Sequence, residues 1–135
     1  MAEKKILAKI ALLAYGAVCL LFGFMYVFFA ETLIANMAPP GWEINVFHPK
    51  VLGAFLVVIG FFDILILINR GWEWEHVKLA YTILFSFIVP MIIAQILVLA
   101  LLPLTDAFVA EMAFEIPLES ALLILGIIGY LKQKA

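Results

Sequence analysis

One carboxylate stands out for its setting. Asp63 lies within Val51-Leu52-Gly53-Ala54-Phe55-Leu56-Val57-Val58-Ile59-Gly60-Phe61-Phe62-Asp63-Ile64-Leu65-Ile66-Leu67-Ile68, a run with no other ionisable residue. Gly53, Leu56, Gly60 and Asp63 follow a 3, 4, 3 spacing, which puts them on one face of a helix. That face carries the small residues, so Asp63 is expected to point into a helix bundle and not toward lipid. Asn69 follows six residues later, which sets Asp63 about 10 Å from that end of the helix at ~1.5 Å per residue. No basic residue is expected at that depth, and Tyr15 and Ser86 are the polar groups within its range. An acid in hydrocarbon without a cation is costly as a carboxylate, which favours its neutral form. Two readings follow: a proton or cation site, or an interhelical hydrogen bond that fixes packing. The spacing favours the packing role.

Gln95 is a second polar residue inside an apolar run. It stands nine residues from Ser86, so the two face opposite ways on a straight helix, with Pro90 between them as a potential kink. Gln95 therefore looks toward the last span or toward another chain, and it is a candidate subunit contact. Glu111, Glu115 and Glu119 recur at i, i+4 and i+8 and form an acidic stripe on a continuous helix. A divalent cation could be held by such carboxylates and an imidazole such as His48. Runs of charge more commonly face water, and Pro117 falls within the stripe. A solvated face without a metal site is the expectation. His48 and His76 fall at opposite ends of spanning helices, roughly 30 Å apart, so one haem could not bind both. The single cysteine, Cys19, excludes intrachain disulfides and Cys-x-x-Cys chemistry. No cofactor and no catalytic residue is expected.

The elements that must position these residues are membrane spans. The chain has 135 residues, 67% of them hydrophobic and 13% charged, with a mean hydropathy of +1.21. A soluble domain carries about 25% charged residues, so this chain could not cover its apolar surface in water. Lipid solvates that surface directly. The net charge of −2 gives no footprint for nucleic acid. Four apolar segments are expected to span as helices, at residues 6–30, 51–69, 77–102 and 116–131, in one all-α four-helix transmembrane domain. The last is short for the roughly 20 residues a span requires. Lys4, Lys5 and Lys9 before an apolar run resemble a signal peptide, but the run continues to Phe29, beyond a signal h-region of about 7–15 residues. An uncleaved first span is expected.

Local signals mark the ends. Pro49 suits the first turn of span two, and Gly71 suits a left-handed cap after it. Ala38-Pro39-Pro40-Gly41 reads as a turn, and residues 43–47 alternate as a short extended piece would. Thr105 can cap a helix starting at Asp106, which would carry Phe108, Met112 and Phe114 toward the membrane before Pro117 bends it into span four. Trp72 and Trp74 suit the headgroup level between spans two and three. Gly16 and Gly23 in span one, and Gly53 and Gly60 in span two, are each seven apart and suit close helix packing. Short connections predict spans two and three, and three and four, as neighbours.

The layout resembles the DoxX-like group of small four-span membrane proteins. The likeness is carried by Gly23 before Phe28-Phe29, by Lys50-Val51-Leu52-Gly53-Ala54 with Ile59-Gly60, and by the turn Asn69-Arg70-Gly71. Lys50 stands where that family often has an arginine. Some members are small subunits of, or partners to, membrane redox systems, so the resemblance implies an accessory role and carries over no catalytic residue. The function expected is accessory or structural, in a membrane assembly formed with further copies or other subunits. A small proton- or cation-coupled transporter centred on Asp63 is the alternative. An enzyme acting on a lipid or quinone would need two converging acid–base groups, and Asp63 and Glu119 lie at different depths.

Lys4, Lys5, Lys9, Arg70, Lys78, Lys132 and Lys134 fall on one side of the four-span layout and only Lys50 on the other. The basic side is therefore expected in the cytoplasm, with both termini, and the plasma membrane is the expected location. Reporter fusions at Ala135 and near Pro40 test this: Ala135 should report cytoplasmic, and an external signal there rejects the orientation.

Overall fold

The computed structural model describes residues 2–37, 46–69, 72–101 and 105–134. They form five helices: α1 (Ala2–Met37), α2 (Phe47–Ile68), α3 (Trp74–Ser86), α4 (Ile88–Leu101) and α5 (Asp106–Lys134). Four stretches are long and apolar enough to cross a bilayer: Ile6–Asn36, Phe47–Ile68, Trp74–Leu101, which joins α3 and α4, and Asp106–Gln133. The protein is an all-α bundle of four membrane-compatible helices. The turns expected at 38–41 and at Gly71 lie outside the described residues, as does most of the extended piece at 43–47. Of that piece, Phe47 is instead the first residue of α2, preceded by Val46 in a helical conformation. Pro49 sits in the first turn of that helix, as its missing N–H allows.

Each helix departs from a plain rod for a local reason. α1 has 36 residues, about 54 Å at 1.5 Å per residue, against a hydrocarbon core of about 30 Å. Its backbone leaves helical geometry at Phe29 (φ −121°, ψ 19°), where the apolar run gives way to Glu31, Thr32 and Asn36. The third span divides at Phe87, whose N–H turns back to the Leu84 carbonyl at 3.3 Å. Pro90 explains the division, because it has no N–H for the carbonyl of Ser86 and its ring crowds that group. α5 is longer than the span expected from residue 116. Thr105 caps it, with the Phe108 N–H donating to Thr105 Oγ1 at 3.2 Å, and the helix runs on through Pro117. Met112 points into the bundle and not to the membrane, while Phe114 is exposed.

Packing centres on α1. Its most extensive partner is α2, followed by α5. The glycines paired in the sequence meet across the α1–α2 interface. A Cβ added at Gly53 would lie 2.7 Å from the Gly23 carbonyl, and one at Gly60 would lie 2.9 Å from the Gly16 carbonyl. Only the absence of side chains permits that approach. Spans two and three, expected as neighbours from their short connection, touch little, whereas α4 packs on α5 as expected. The small-residue face of α2 gains more from the matching face of α1 than its connection gains from holding it near α3.

An aromatic column joins α1, α3 and α5 on the basic side. Tyr15 lies tilted against Phe85 (5.0 Å between centroids) and Phe85 against Tyr81 (4.6 Å). The Tyr81 hydroxyl donates to the Gly126 carbonyl at 2.8 Å. Trp74 then meets Tyr81 and Tyr130 edge-on, and Lys9 lies over the buried Trp72 ring.

Gly53→Ala and Gly60→Ala should each lower stability in mixed micelles by about 1–3 kcal/mol, the usual cost of overpacking. Ala94→Leu on the exposed face of α4 should change it by no more than about 0.5 kcal/mol. Unfolding midpoints that rank Ala94→Leu with the glycine variants would reject the close-approach account.

Candidate functional site

The interior polar groups begin on one face of α1. Tyr15, Cys19, Phe22 and Tyr26 recur at intervals of 4, 3 and 4, so they line a single stripe. Together with α2, α4 and α5 this stripe encloses a cavity of ≈ 70 Å³. Most of its wall is apolar. Tyr15 and Cys19 line one part of it, and Tyr26, Gln95, Glu115 and Glu119 supply its remaining polar groups.

The second group is a connected network. The Tyr26 hydroxyl donates to Glu115 Oε1 at 3.1 Å. Gln95 Nε2 donates to Glu115 Oε2 at 3.1 Å and to Glu119 Oε1 at 3.0 Å. Glu115 is only 6% exposed, and Glu111 lies beside it. One amide thus ties two carboxylates of α5 to α4, and a tyrosine ties one of them to α1.

Two expectations change here. The stripe of Glu111, Glu115 and Glu119 is not a solvated face, and Pro117 does not spoil its alignment. Glu115 and Glu119 turn inward and converge on Gln95. The Gln95 amide nitrogen in turn finds its acceptors within the chain, so pairing it does not call for a second subunit. A different reading of the same residues carries the signal for this. Met112, Glu115, Glu119, Leu122, Gly126 and Gly129 are spaced 3, 4, 3, 4 and 3. This is the apolar and small-residue face of α5, and it is the face the bundle buries.

Asp63 is fully buried on the α2 face with Gly53, Leu56 and Gly60. It packs against α1, where a Cβ at Gly16 would lie 3.0 Å from its own Cβ. The hydrogen bond expected to fix its packing is not formed among the described residues. Neither carboxyl oxygen has a partner among the described residues, nor has the Tyr15 hydroxyl. Ser86 is ruled out as a partner. It is exposed and donates to the Ile83 carbonyl of its own helix at 2.7 Å. Tyr15 and Cys19 lie within electrostatic range of Asp63 and also of Glu119. The two side chains therefore bridge the region between the acid of α2 and the carboxylates of α5.

No described basic residue neutralises these acids. Lys50 pairs with Glu31, Lys78 with Glu75, and Lys9 sits over Trp72. Both histidines are exposed, His76 near Glu73 (3.5 Å) and His48 against the Phe47 ring. Nor does any group of three or more His, Cys, Asp or Glu stand in metal-holding geometry among the described residues. Chemically, the interior offers carboxyl and hydroxyl groups that can accept, hold and pass protons, or face a cation, within a largely apolar wall.

No protein-family model, no curated protein and no solved structure matches this chain. The DoxX-like likeness therefore rests on the sequence pattern alone.

Gln95→Leu removes the donor shared by Glu115 and Glu119. At roughly 0.6 kcal/mol for an in-membrane hydrogen bond, losing two should destabilise the protein by about 1 kcal/mol in reversible unfolding, with no change in its oligomeric state. An unchanged or raised stability would show that the network contributes nothing.

Proposed function

We propose that this protein is a small carrier of protons or small cations, working through the carboxyl groups of its bundle interior. The observation that supports this most directly is Glu115. It is buried within the bundle, bonded to Tyr26 and Gln95, next to Glu119, and no described lysine or histidine pairs with it. Placing an acid at the centre of a membrane helix costs about 3 kcal/mol. Two further groups, Asp63 and Glu119, add to that cost. A purely structural bundle would be more stable with apolar residues there, so a functional role accounts better for their presence.

The reading extends the Asp63-centred alternative to a set of groups. Asp63 lies toward the basic side and the Glu115 network toward the acidic side, with Tyr15 and Cys19 between. In the orientation expected from the basic residues, Asp63 is nearer the cytoplasm and the network nearer the outer face of a plasma membrane. An accessory role in a membrane assembly is the second reading. What favours it is the small mass outside the helices, since nearly all described residues belong to the bundle. Association with further copies or other subunits would then rest on the lipid-facing surfaces and not on Gln95.

The test is proton entry into vesicles that contain the purified protein and a trapped pH-sensitive dye, driven by an inside-negative potassium diffusion potential. Wild-type protein should acidify the interior well above protein-free vesicles. Asp63→Asn and Glu115→Gln should each cut the initial rate at least tenfold. A wild-type rate equal to that of empty vesicles, for protons and for sodium or potassium alike, would reject the carrier.

A further inference from the structure

We propose that the interior cavity binds a small lipophilic ammonium ion, which enters sideways from the bilayer between α2 and α4. The inference rests on the carrier reading above and gives it a ligand class. It starts from the groups left without partners. Gln95 Oε1 and Glu119 Oε2 are buried atoms with no hydrogen-bond partner among the described residues. Both residues line the cavity. Both atoms are acceptors, so they call for a ligand that donates. The Tyr15 hydroxyl, on a side chain only 3% exposed, is also unpartnered, and Tyr15 lines the same cavity.

Charge narrows the class. Glu115 or Glu119, once ionised, repels an anion, and no described basic residue stands among them to receive one. A neutral alcohol could donate one hydrogen bond but would leave the carboxylates uncompensated. Calcium or magnesium needs six or more oxygen ligands, and no group of three or more His, Cys, Asp or Glu among the described residues could hold a metal ion. A primary ammonium has three N–H donors and one positive charge. It can donate to Glu119 Oε2 and Gln95 Oε1 and keep one donor for the Tyr15 side.

Size and surroundings set the rest of the molecule. A volume of ≈ 70 Å³ corresponds to roughly five water-sized positions at ~10–15 Å³ each. Leu52, Leu56 and Met91 form apolar wall and Phe22 adds an aromatic ring, surroundings suited to a short alkyl chain and to a cation held against aromatic groups. The route follows from the packing. α2 and α4 barely touch, and Leu52 on the α2 side of the cavity is 42% exposed. The side between these helices therefore opens to lipid, where a lipophilic amine concentrates.

The experiment measures binding of n-butylammonium to the full chain in lipid nanodiscs, by calorimetry or ligand-observed NMR, beside n-butanol and n-butyrate. Wild-type protein should bind n-butylammonium saturably, one per chain, and neither isostere. Glu119→Gln and Gln95→Leu should each weaken binding at least tenfold, and Glu31→Gln, on the exposed surface, should leave it unchanged. Leu56→Phe fills the cavity without altering charge and should also abolish binding, which keeps the site testable should Glu119→Gln fail to fold. Equal binding of n-butanol, or full affinity in a folded Glu119→Gln or Leu56→Phe, overturns the proposal. The vesicle assay separates this from the carrier reading. Proton or alkali-cation entry without n-butylammonium binding overturns the ligand class alone. Binding without entry supports the site and overturns the carrier.

Discussion

The close approach of α1 and α2 through facing glycines is the contact on which the interior depends. Gly23 meets Gly53 and Gly16 meets Gly60 at backbone distance, so the two helices behave as one thick element. That contact buries Asp63 completely, since its Cβ abuts the backbone of Gly16. It also leaves the stripe of Tyr15, Cys19, Phe22 and Tyr26 for the remaining helices. A cavity forms where those side chains meet α4 and α5, because helices held apart by large residues do not close on one another as the glycine pairs do.

Hydrocarbon then governs what the cavity wall can contain. In water an exposed glutamate is solvated at no cost, and a glutamine needs no particular partner. Within a bilayer every polar group must find its partner in the protein. The Gln95 amide nitrogen meets that demand by donating to both Glu115 and Glu119, while Tyr26 takes the remaining oxygen of Glu115. The arrangement crosslinks α1, α4 and α5 and closes one end of the cavity. At the other end, Tyr15 is held by a ring contact with Phe85, which in turn lies against Tyr81; this fixes the ring while leaving its hydroxyl unpartnered. A network satisfied on one side and open on the other suits a site that is completed by something else.

Much of the architecture was legible because lipid simplifies the code. Long apolar runs specify helices that span, since an isolated segment can satisfy its backbone only by its own helix. The glycine pairs and the burial of Asp63 followed from 3, 4 spacing within α2, a property of one helix considered alone. So did the Thr105 cap and the break near Pro90, each decided within a single turn of backbone. The sequence by itself therefore determined the number of membrane-compatible spans, their helical character and the inward face of span two. Which helix lies beside which was decided only in the tertiary structure. Connection length suggested spans two and three as neighbours, but side-chain size at Gly16, Gly23, Gly53 and Gly60 placed α1 against α2. The acidic residues of α5 show the same limit. Spacing of four marks Glu111, Glu115 and Glu119 as a stripe and cannot say which way it turns. The rotation of α5 is set by burial of Met112, Leu122, Gly126 and Gly129, and that rotation carries Glu115 inward to Gln95. Helical periodicity is local, whereas the direction a face points depends on the summed packing of all the helices around it.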